Sequence, residues 1–159
     1  MCKEIPEKLF QAAIRAAQNA YAPYSRFSVG AALETSDGQI FSGVNMENVA
    51  YGLSVCAEVG ALQAATVNGL LHNIVRIAVV GGLIEREKEG SAEIVTPCGR
   101  CRQLILESAH LSKTDIDVWC GNLDLSAIKC FKISELLPYG FGLKNLKFRH
   151  SASMKLPLK

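Results

Sequence analysis

The sequence has no large excess of charge of either sign. Its 17 lysines and arginines nearly balance its 15 aspartates and glutamates and leave a formal net charge of +2. A near-neutral chain offers no general electrostatic attraction to nucleic acid, an anionic membrane or a strongly acidic partner. We therefore expect neither a nucleic acid nor a membrane among its partners, and a small neutral substrate is compatible with this charge.

Long apolar runs are also absent. No segment is apolar over the length needed to cross a bilayer, and Glu4, Glu7, Lys8 and Arg15 interrupt the N-terminal pattern where a signal peptide requires a continuous apolar core. The sequence thus predicts neither a membrane span nor an export signal. Six cysteines in such a chain are better explained by thiols and bound metal than by disulfides, so we expect a cytoplasmic protein.

The chain has a single CxxC pair, Cys98 and Cys101 in the run PCGRCRQ, and a third cysteine lies far upstream in Cys56-Ala57-Glu58. Three thiolates suit Zn²⁺, which prefers sulfur and nitrogen ligands in a tetrahedron, and three protein ligands leave the fourth position for water. Glu58 places a carboxylate where it can take a proton from that water. This order of residues is typical of zinc-dependent nucleobase deaminases.

A structural zinc site, closed by a fourth protein ligand, is the alternative. Cys120, Cys130, His72 and His110 are the candidate fourth ligands. The two cysteines lie in apolar surroundings, where free cysteine usually acts as a small buried hydrophobic side chain. The absence of a second CxxC and the presence of Glu58 favour the open, catalytic site.

Alternating helix-like and strand-like patterns predict the fold class. The order α-β-β-α-β-α-β-β-α predicts a three-layer α/β/α sandwich with a mixed five-stranded sheet, in which both cysteine motifs begin helices whose N-terminal amide groups stabilise thiolates. One catalytic domain, 1–142, and a basic tail, 143–159, are expected. We predict helices over 6–21, over 52–68 and from 98 onward, with a short helix or turn at 134–137. Strands are predicted at 74–82, 115–120 and 127–133, together with a hairpin that turns at 36–38 and a charged surface loop at 83–95.

Several longer motifs resemble those of the small, homotetrameric cytidine deaminases. The resemblance is carried by AYAPYSRFSVGAAL (20–33), GVNMENVAYG (43–52), CAE (56–58), PCGRCRQ (97–103) and ELLPYGF (135–141). It implies the cytidine deaminase fold, one zinc ion per subunit and active sites completed by neighbouring subunits. It also implies hydrolytic deamination of cytidine or deoxycytidine to uridine or deoxyuridine with loss of ammonia, a reaction of pyrimidine salvage.

The resemblance further assigns roles to residues at matching positions. Cys56, Cys98 and Cys101 would bind zinc, and Glu58 would shuttle protons. Backbone groups near Ala57 and Thr96 would bind the ring oxygen and the amino group of the base. Asn45 and Glu47 would hold the ribose hydroxyl groups, Phe27 would pack beside the nucleoside, and Phe141 and Tyr51 would reach into a neighbouring subunit's site.

The sequence pattern alone supports some of these roles. Asn45 and Glu47, two apart on an extended segment, share one face, although turn residues closing a strand would have the same composition. Phe27 alone would be interpreted as a core aromatic. Phe141 lies between two glycines, which suggests an aromatic side chain presented on a loop.

The chain departs from the family pattern directly after CAE, where Val59 replaces the usual arginine. Zn²⁺ with three thiolates has a formal charge of 2 − 3 = −1, which opposes the lowering of the pKa of its water. We hypothesise that Arg100 or Arg102, together with the two helix N-termini, compensates this charge.

At Val59 the chain also resembles the blasticidin deaminases, in which an aliphatic residue follows CAE and the motif PCGRCRQ is present. Deamination of a related aminopyrimidine such as blasticidin S or isocytosine is therefore the alternative activity, although Asn45, Glu47 and Phe141 favour a ribonucleoside. A non-enzymatic zinc module or an RNA-binding scaffold is a third possibility. The near-neutral charge and an otherwise unneeded Glu58 argue against it.

Overall fold

The helices and strands lie close to where the sequence places them. The computed structural model describes residues 4–84 and 93–146. The helices are α1 (Glu7–Ala17), α2 (Ala57–Val67), α3 (Gly99–Ser112) and the short α4 (Ile133–Leu136). The strands are β1 (Phe27–Thr35), β2 (Ile40–Val44), β3 (Ile74–Leu83), β4 (Asp117–Asn122) and β5 (Ile128–Lys132).

The five strands form one mixed sheet in the order β2-β1-β3-β4-β5. Only β3 and β4 are parallel, and the segment that joins them contains α3. The other three pairs are antiparallel. The central β3 is the apolar run that the sequence predicts to be covered on both faces, and most of its residues are buried.

Strict alternation of side chains along the strands decides which helix covers which face. Ala32, Ala78 and Trp119 pack in one cluster with α1. Their strand neighbours, including Val79 and Cys120, pack in a second cluster with α2 and α3. Helices therefore cover both faces of the sheet, and the predicted three-layer α/β/α sandwich is confirmed.

Four residues of alternating charge form a row across one end of the sheet, one on each of four neighbouring strands. Glu34 of β1 lies opposite Arg76 of β3, which pairs in register with Asp117 of β4, which in turn lies opposite Lys132 of β5. Arg76 Nε donates to Glu34 at 2.6 Å, and Lys132 forms an ion pair with Asp117. A one-residue slip of any strand would break this alternation of charge, so the row supports the register.

Two glycines let helices approach the sheet backbone closely. A Cβ on Gly30 would lie 1.9 Å from the carbonyl oxygen of Ala13 in α1. A Cβ on Gly43 would lie 2.3 Å from the carbonyl oxygen of Ala57 and the amide nitrogen of Ala61 in α2. Since no side chain fits at such distances, α2 can rest against β2 only because residue 43 is glycine.

Two predicted helices are shorter than expected. The first ends at Ala17 because the chain beyond it becomes extended, and the amide of Tyr21 donates to the carbonyl of Asn45. The second begins at Ala57: Tyr51–Leu53 form a separate 3₁₀ turn, and Met46 and Val55 then exchange backbone hydrogen bonds, which keep the chain extended up to Cys56. Long-range backbone pairing has overridden a helical pattern in both places.

The cysteine prediction is confirmed in part. Four cysteines have free thiols, namely Cys56, Cys98, Cys101 and Cys120, and Cys120 is fully buried as expected. Cys130, however, is half-buried and disulfide-bonded, so thiols and metal do not account for every cysteine.

Parts of two predicted segments lie outside the described residues. These parts are 85–92 of the charged loop and 147–159 of the basic tail, while Leu143–Leu146, the start of that tail, forms one 3₁₀ turn. No helix in the described part of the chain is long and apolar enough to cross a membrane.

Candidate metal centre and active site

The N-termini of α2 and α3 bring the three predicted cysteine ligands together. Cys56 is the residue directly before α2, Cys98 is the residue directly before α3, and Cys101 lies in the first turn of α3. Their sulfur atoms all lie within 4.8 Å of one another. Residues 42 positions apart in the sequence, Cys56 and Cys98, have their Sγ atoms only 3.9 Å apart.

This set of sulfur atoms fits a zinc ion. A tetrahedral ion with Zn–S bonds of about 2.3 Å holds its sulfur ligands about 3.8 Å apart. The separation of 3.9 Å between Cys56 and Cys98 matches this value, and since no two of the sulfur atoms are more than 4.8 Å apart, zinc binding requires only a small contraction. Cys101 is buried while Cys98 is exposed, so the group is open to solvent on one side. Three sulfur donors with an exposed side suit a catalytic rather than a closed structural site.

Glu58 lies beside this group as the second residue of α2. Glu58 is only 4% exposed, which is exceptional for a carboxylate that has no ion pair among the described residues. Burial raises the pKa of Glu58, and hydrogen bonds that include one from the Cys101 thiol only partly offset this effect. A buried carboxyl group with a raised pKa next to a cation site is typical of groups that take up and release protons in catalysis.

The environments of the three thiols shift their pKa values in different directions. Burial raises the pKa of Cys101 above its usual range, and the nearby Glu58 carboxylate adds to the effect. Burial likewise raises the pKa of Cys56. Burial also acts to raise the pKa of Cys98, but hydrogen bonds from the Cys101 amide and from the other two thiols outweigh it and lower this pKa. Metal binding must therefore displace protons from Cys56 and Cys101 and will weaken as the pH falls.

Arg102, one of the two candidates for charge compensation, holds the turn before Cys98. Its Nε donates to the carbonyl of Pro97 at 2.7 Å, and Nη2 donates to Oγ1 of Thr96 at 3.2 Å. Nη1 donates to the carbonyl of Leu136 at 3.2 Å. Two of these hydrogen bonds hold Thr96 and Pro97, so the guanidinium helps to fix the turn that precedes the predicted ligand Cys98.

Arg100 differs from Arg102. It is exposed, and its side chain forms no hydrogen bond or ion pair with the described residues. Val59, where the family pattern has arginine, is 8% exposed and contributes only an apolar surface. Charge compensation by Arg100 or Arg102 stays a prediction.

Asn45 and Glu47 both reach the segment that begins β1. Asn45 Nδ2 donates to the carbonyl of Phe27 at 2.9 Å, and its Oδ1 accepts from the Val29 amide at 2.8 Å. Glu47 accepts from the backbone amides of Tyr24 and Ser25 at 2.9 and 3.2 Å. The two side chains address one neighbouring segment, as expected for alternate residues of an extended chain.

The backbone connects this polar pair to the metal ligands. Met46, between Asn45 and Glu47, exchanges two hydrogen bonds of 2.9 Å with Val55, the residue before Cys56. Each polar side chain keeps capacity for a ligand, since Asn45 retains an N–H and a lone pair, and the Glu47 carboxylate, which also accepts from the Ser25 side chain, retains lone pairs on the oxygen that the two amides do not contact. Phe27 is half-buried, and its ring lies 3.1 Å from the position of a Cβ on Gly81.

Tyr51 and Phe141 are presented outward. Tyr51 is 73% exposed and Phe141 is 58% exposed. The Tyr51 ring meets that of Tyr24 edge to face, with centroids 5.7 Å apart. Gln103 Nε2 donates to the carbonyl of Phe141 at 2.7 Å, a contact that the sequence did not predict. The only signal for it is the position of Gln103 directly after Arg102 in PCGRCRQ.

A three-layer α/β/α sandwich with a buried glutamate and three cysteines at two helix N-termini defines a class of zinc-dependent hydrolytic enzymes. The chain matches the family model of the "Cytidine and deoxycytidylate deaminase zinc-binding region" over residues 3–114. Because this match covers more than half of the sequence, the chain belongs to the cytidine and deoxycytidylate deaminase family.

Individual relatives agree with this assignment. The chain is 41% identical over 140 residues to a cytidine deaminase of Halalkalibacterium halodurans, covering 88% of this chain and 96% of the relative. The structure resembles the crystal structure of cytidine deaminase from Burkholderia pseudomallei with a TM-score of 0.74 and 39% identity, covering 87% of this chain and 100% of that one. A blasticidin-S deaminase of Bacillus cereus is 36% identical over 85 residues, covering 54% of this chain and 60% of the relative.

Proposed function

We propose that the chain catalyses the zinc-dependent hydrolytic deamination of cytidine and deoxycytidine to uridine and deoxyuridine, with release of ammonia. The observation that carries this proposal is the meeting of Cys56, Cys98 and Cys101 within 4.8 Å, beside the buried carboxyl group of Glu58, in a chain of the deaminase family. The catalytic domain is residues 1–142, and residues 143–159 form an appended basic tail.

Glu58 is the proton shuttle in this proposal. Zinc, when bound by the three cysteines, supplies an activated water by lowering the pKa of that water toward neutrality. The Glu58 carboxylate accepts one proton of the water and delivers it to the ring nitrogen as the water oxygen bonds to the base carbon. Glu58 then takes the remaining proton from the hydroxyl group so formed and delivers it to the amine, which leaves as ammonia when its bond to carbon breaks. Its burial supports this role, because a pKa raised by burial makes the carboxylate a stronger base and makes the same group easier to protonate between the two transfers.

The substrate is held by residues around the end of β2 in this proposal. Asn45 and Glu47 bind the ribose hydroxyl groups with the donor and acceptor atoms that their backbone contacts leave available. Phe27 packs against the nucleoside. Backbone groups near Ala57 and Thr96 bind the ring oxygen and the amino group of the base.

We further propose that the enzyme is a homotetramer whose subunits complete each other's sites. The exposed aromatic rings of Tyr51 and Phe141 supply the surfaces that reach a neighbouring subunit. In support, Tyr21, Tyr24, Val49, Tyr51 and Leu53 are each between 45% and 77% exposed in the single chain, and the rings of Tyr24 and Tyr51 are in contact. Exposed large apolar side chains that lie close together are typical of sites of protein association. Analytical ultracentrifugation tests the assembly, and a monomer at micromolar concentration would contradict it.

The activity is tested by the fall in ultraviolet absorbance when zinc-loaded protein is mixed with cytidine, deoxycytidine, blasticidin S or isocytosine in separate reactions. The matched variant is Glu58→Gln, which keeps the size of the side chain and removes its titratable proton. We expect it to retain zinc, measured by metal analysis, and to lose about 10²–10⁴-fold in kcat. Full turnover by Glu58→Gln would refute the proton-shuttle assignment.

Deamination of a related aminopyrimidine is the second candidate, favoured by Val59 and by the similarity to a blasticidin-S deaminase. Turnover of blasticidin S or isocytosine without turnover of cytidine would select it. No reaction with any of the four compounds would select a non-enzymatic zinc module.

A cytoplasmic location and a role in pyrimidine salvage complete the proposal.

A further inference from the structure

One face of α3 docks the segment that carries Phe141. This face consists of Arg102, Gln103, Leu106 and His110, which follow the helical spacing of three and four residues. The docked segment runs from Leu136 to Gly142. Because α3 also begins with the metal ligands Cys98 and Cys101, one rigid element touches both the metal centre and the Phe141 segment.

Polar contacts fix the docked backbone at two points. Gln103 Nε2 donates to the carbonyl of Phe141 at 2.7 Å. Arg102 donates to the carbonyl of Leu136 at 3.2 Å with one guanidinium nitrogen and to Pro97 at 2.7 Å with another. A single side chain thus joins the turn before the metal ligand Cys98 to the start of the docked segment.

Glycines on either side of Phe141 allow the close approach. A Cβ on Gly140 would lie 2.2 Å from Leu106 Cδ2, and a Cβ on Gly142 would lie 2.4 Å from His110 Cε1. The backbone at 140 and 142 therefore rests directly on side chains of α3. Although these contacts hold its backbone, Phe141 is 58% exposed, so its ring can contact another molecule.

We propose that Arg102 and Gln103 are positioning residues that couple the metal-binding turn to the placement of the Phe141 ring, so that a filled metal site and a correctly presented Phe141 support each other. Metal binding orders the first turn of α3 and thereby the two donors that hold the Phe141 segment. The inference rests on the proposed function only where it assigns the Phe141 ring to base stacking. The coupling itself concerns this chain's own contacts.

The test uses Gln103→Met, which keeps a side chain of similar length and removes the donor to Phe141. The matched control is Gln11→Met, which changes an exposed glutamine on α1, in the layer on the other side of the sheet. Hydrogen exchange of a peptide covering 137–142 is measured with and without zinc. The peptide covering the hairpin tip at 36–39 is the internal reference.

In the wild-type chain, zinc should slow exchange of the 137–142 peptide. Gln103→Met should retain its zinc and speed this exchange about fivefold, the factor expected for one lost hydrogen bond, while Gln11→Met does neither. In steady-state kinetics the KM for cytidine should rise in Gln103→Met more than kcat falls. The rise is limited to about 5- to 150-fold by the contribution of one stacked base.

The double variant Gln103→Met with Phe141→Ala makes the test selective. If Gln103 acts through Phe141, its substitution changes KM no further once the ring is gone. Additive effects on KM, or unchanged exchange of the 137–142 peptide in Gln103→Met, would overturn the proposal. A wild-type chain that binds zinc but does not deaminate cytidine would refute the proposed function and leave this proposal standing. The hydrogen-exchange measurement would still decide whether zinc binding and the placement of Phe141 are coupled.

Discussion

Replacing Gly43 by alanine should displace the helix that carries Glu58. Gly43 lies in β2 at the point where this strand meets the first turns of α2. The added Cβ would stand 2.3 Å from the carbonyl oxygen of Ala57 and from the amide nitrogen of Ala61. Both atoms belong to the helix backbone, which cannot rotate away as a flexible side chain would.

The distances set the size of the effect. Ordinary contact with a Cβ begins near 3.4 Å, so α2 and β2 must separate by about 1 Å. Overpacking of this kind costs about 1–3 kcal/mol of folding free energy, which lowers the Tm of a domain of this size by about 2–12 °C. A 1 Å misplacement of catalytic groups costs about 10²-fold in turnover, and Glu58 moves with α2.

The assay combines thermal unfolding, zinc analysis and turnover of cytidine per folded molecule. The matched control is Gly30→Ala, whose Cβ would clash at 1.9 Å with Ala13 in α1, a helix without predicted site residues. We expect both variants to be destabilised, but only Gly43→Ala to lose turnover. Gly60→Ala, whose Cβ would lie 3.3 Å from the Cα of Gly43, is a milder probe of the same contact should Gly43→Ala fail to fold.

Two outcomes would refute this reasoning. Equal loss of turnover per folded molecule in Gly43→Ala and Gly30→Ala would show that loss of stability, and not the position of α2, controls the site. An unchanged Tm in Gly43→Ala would show that α2 does not rest on β2 as closely as the contact distances require.

Two further predictions concern metal and pH. Removal of zinc by a chelator should lower the Tm by about 5–15 °C. Zinc but not magnesium should restore the Tm, because thiolates select soft cations. An unchanged Tm after chelation would contradict the metal site. Hydrogen bonds from the Thr35 and Gln39 side chains lower the pKa of Asp37 below its usual 3.8, so Asp37 contributes stability above that pH that is lost as the pH falls through its folded-state pKa. Asp37→Asn should therefore flatten the decline of Tm with acidity below about pH 4, and a parallel decline in both proteins would exclude this role.

The sequence predicts the type of each element well because each pattern is local. The run at 74–82 is apolar without a helical period, and it forms the central strand β3. The turn at 36–38 is predicted from Ser36, Asp37 and Gly38, and Gly38 indeed has a φ of 84°. Such signals depend on neighbours in the chain and survive any tertiary arrangement.

Element ends are predicted less well because distant backbone competes for them. The apolar spacing of 6–21 continues to Tyr21, yet this residue pairs with the Asn45–Glu47 segment and is 57% exposed. Nothing in the local pattern around Tyr21 reports that partner. The contact of Gln103 with Phe141, 38 residues away, is unpredictable for the same reason.

The sequence by itself determined the chemistry available to this protein, namely three thiols that suit zinc, one carboxylate in fixed register with the first of them, and the order of strands and helices. Donor type and hydrophobic period are properties of the residues and their near neighbours. Only the tertiary structure decided the geometry. It brought Cys56 to Cys98, buried Glu58 so that its pKa rises, and docked the Phe141 segment on α3. Those outcomes depend on helices packing against one sheet, where contacts between distant residues control distance and solvent access.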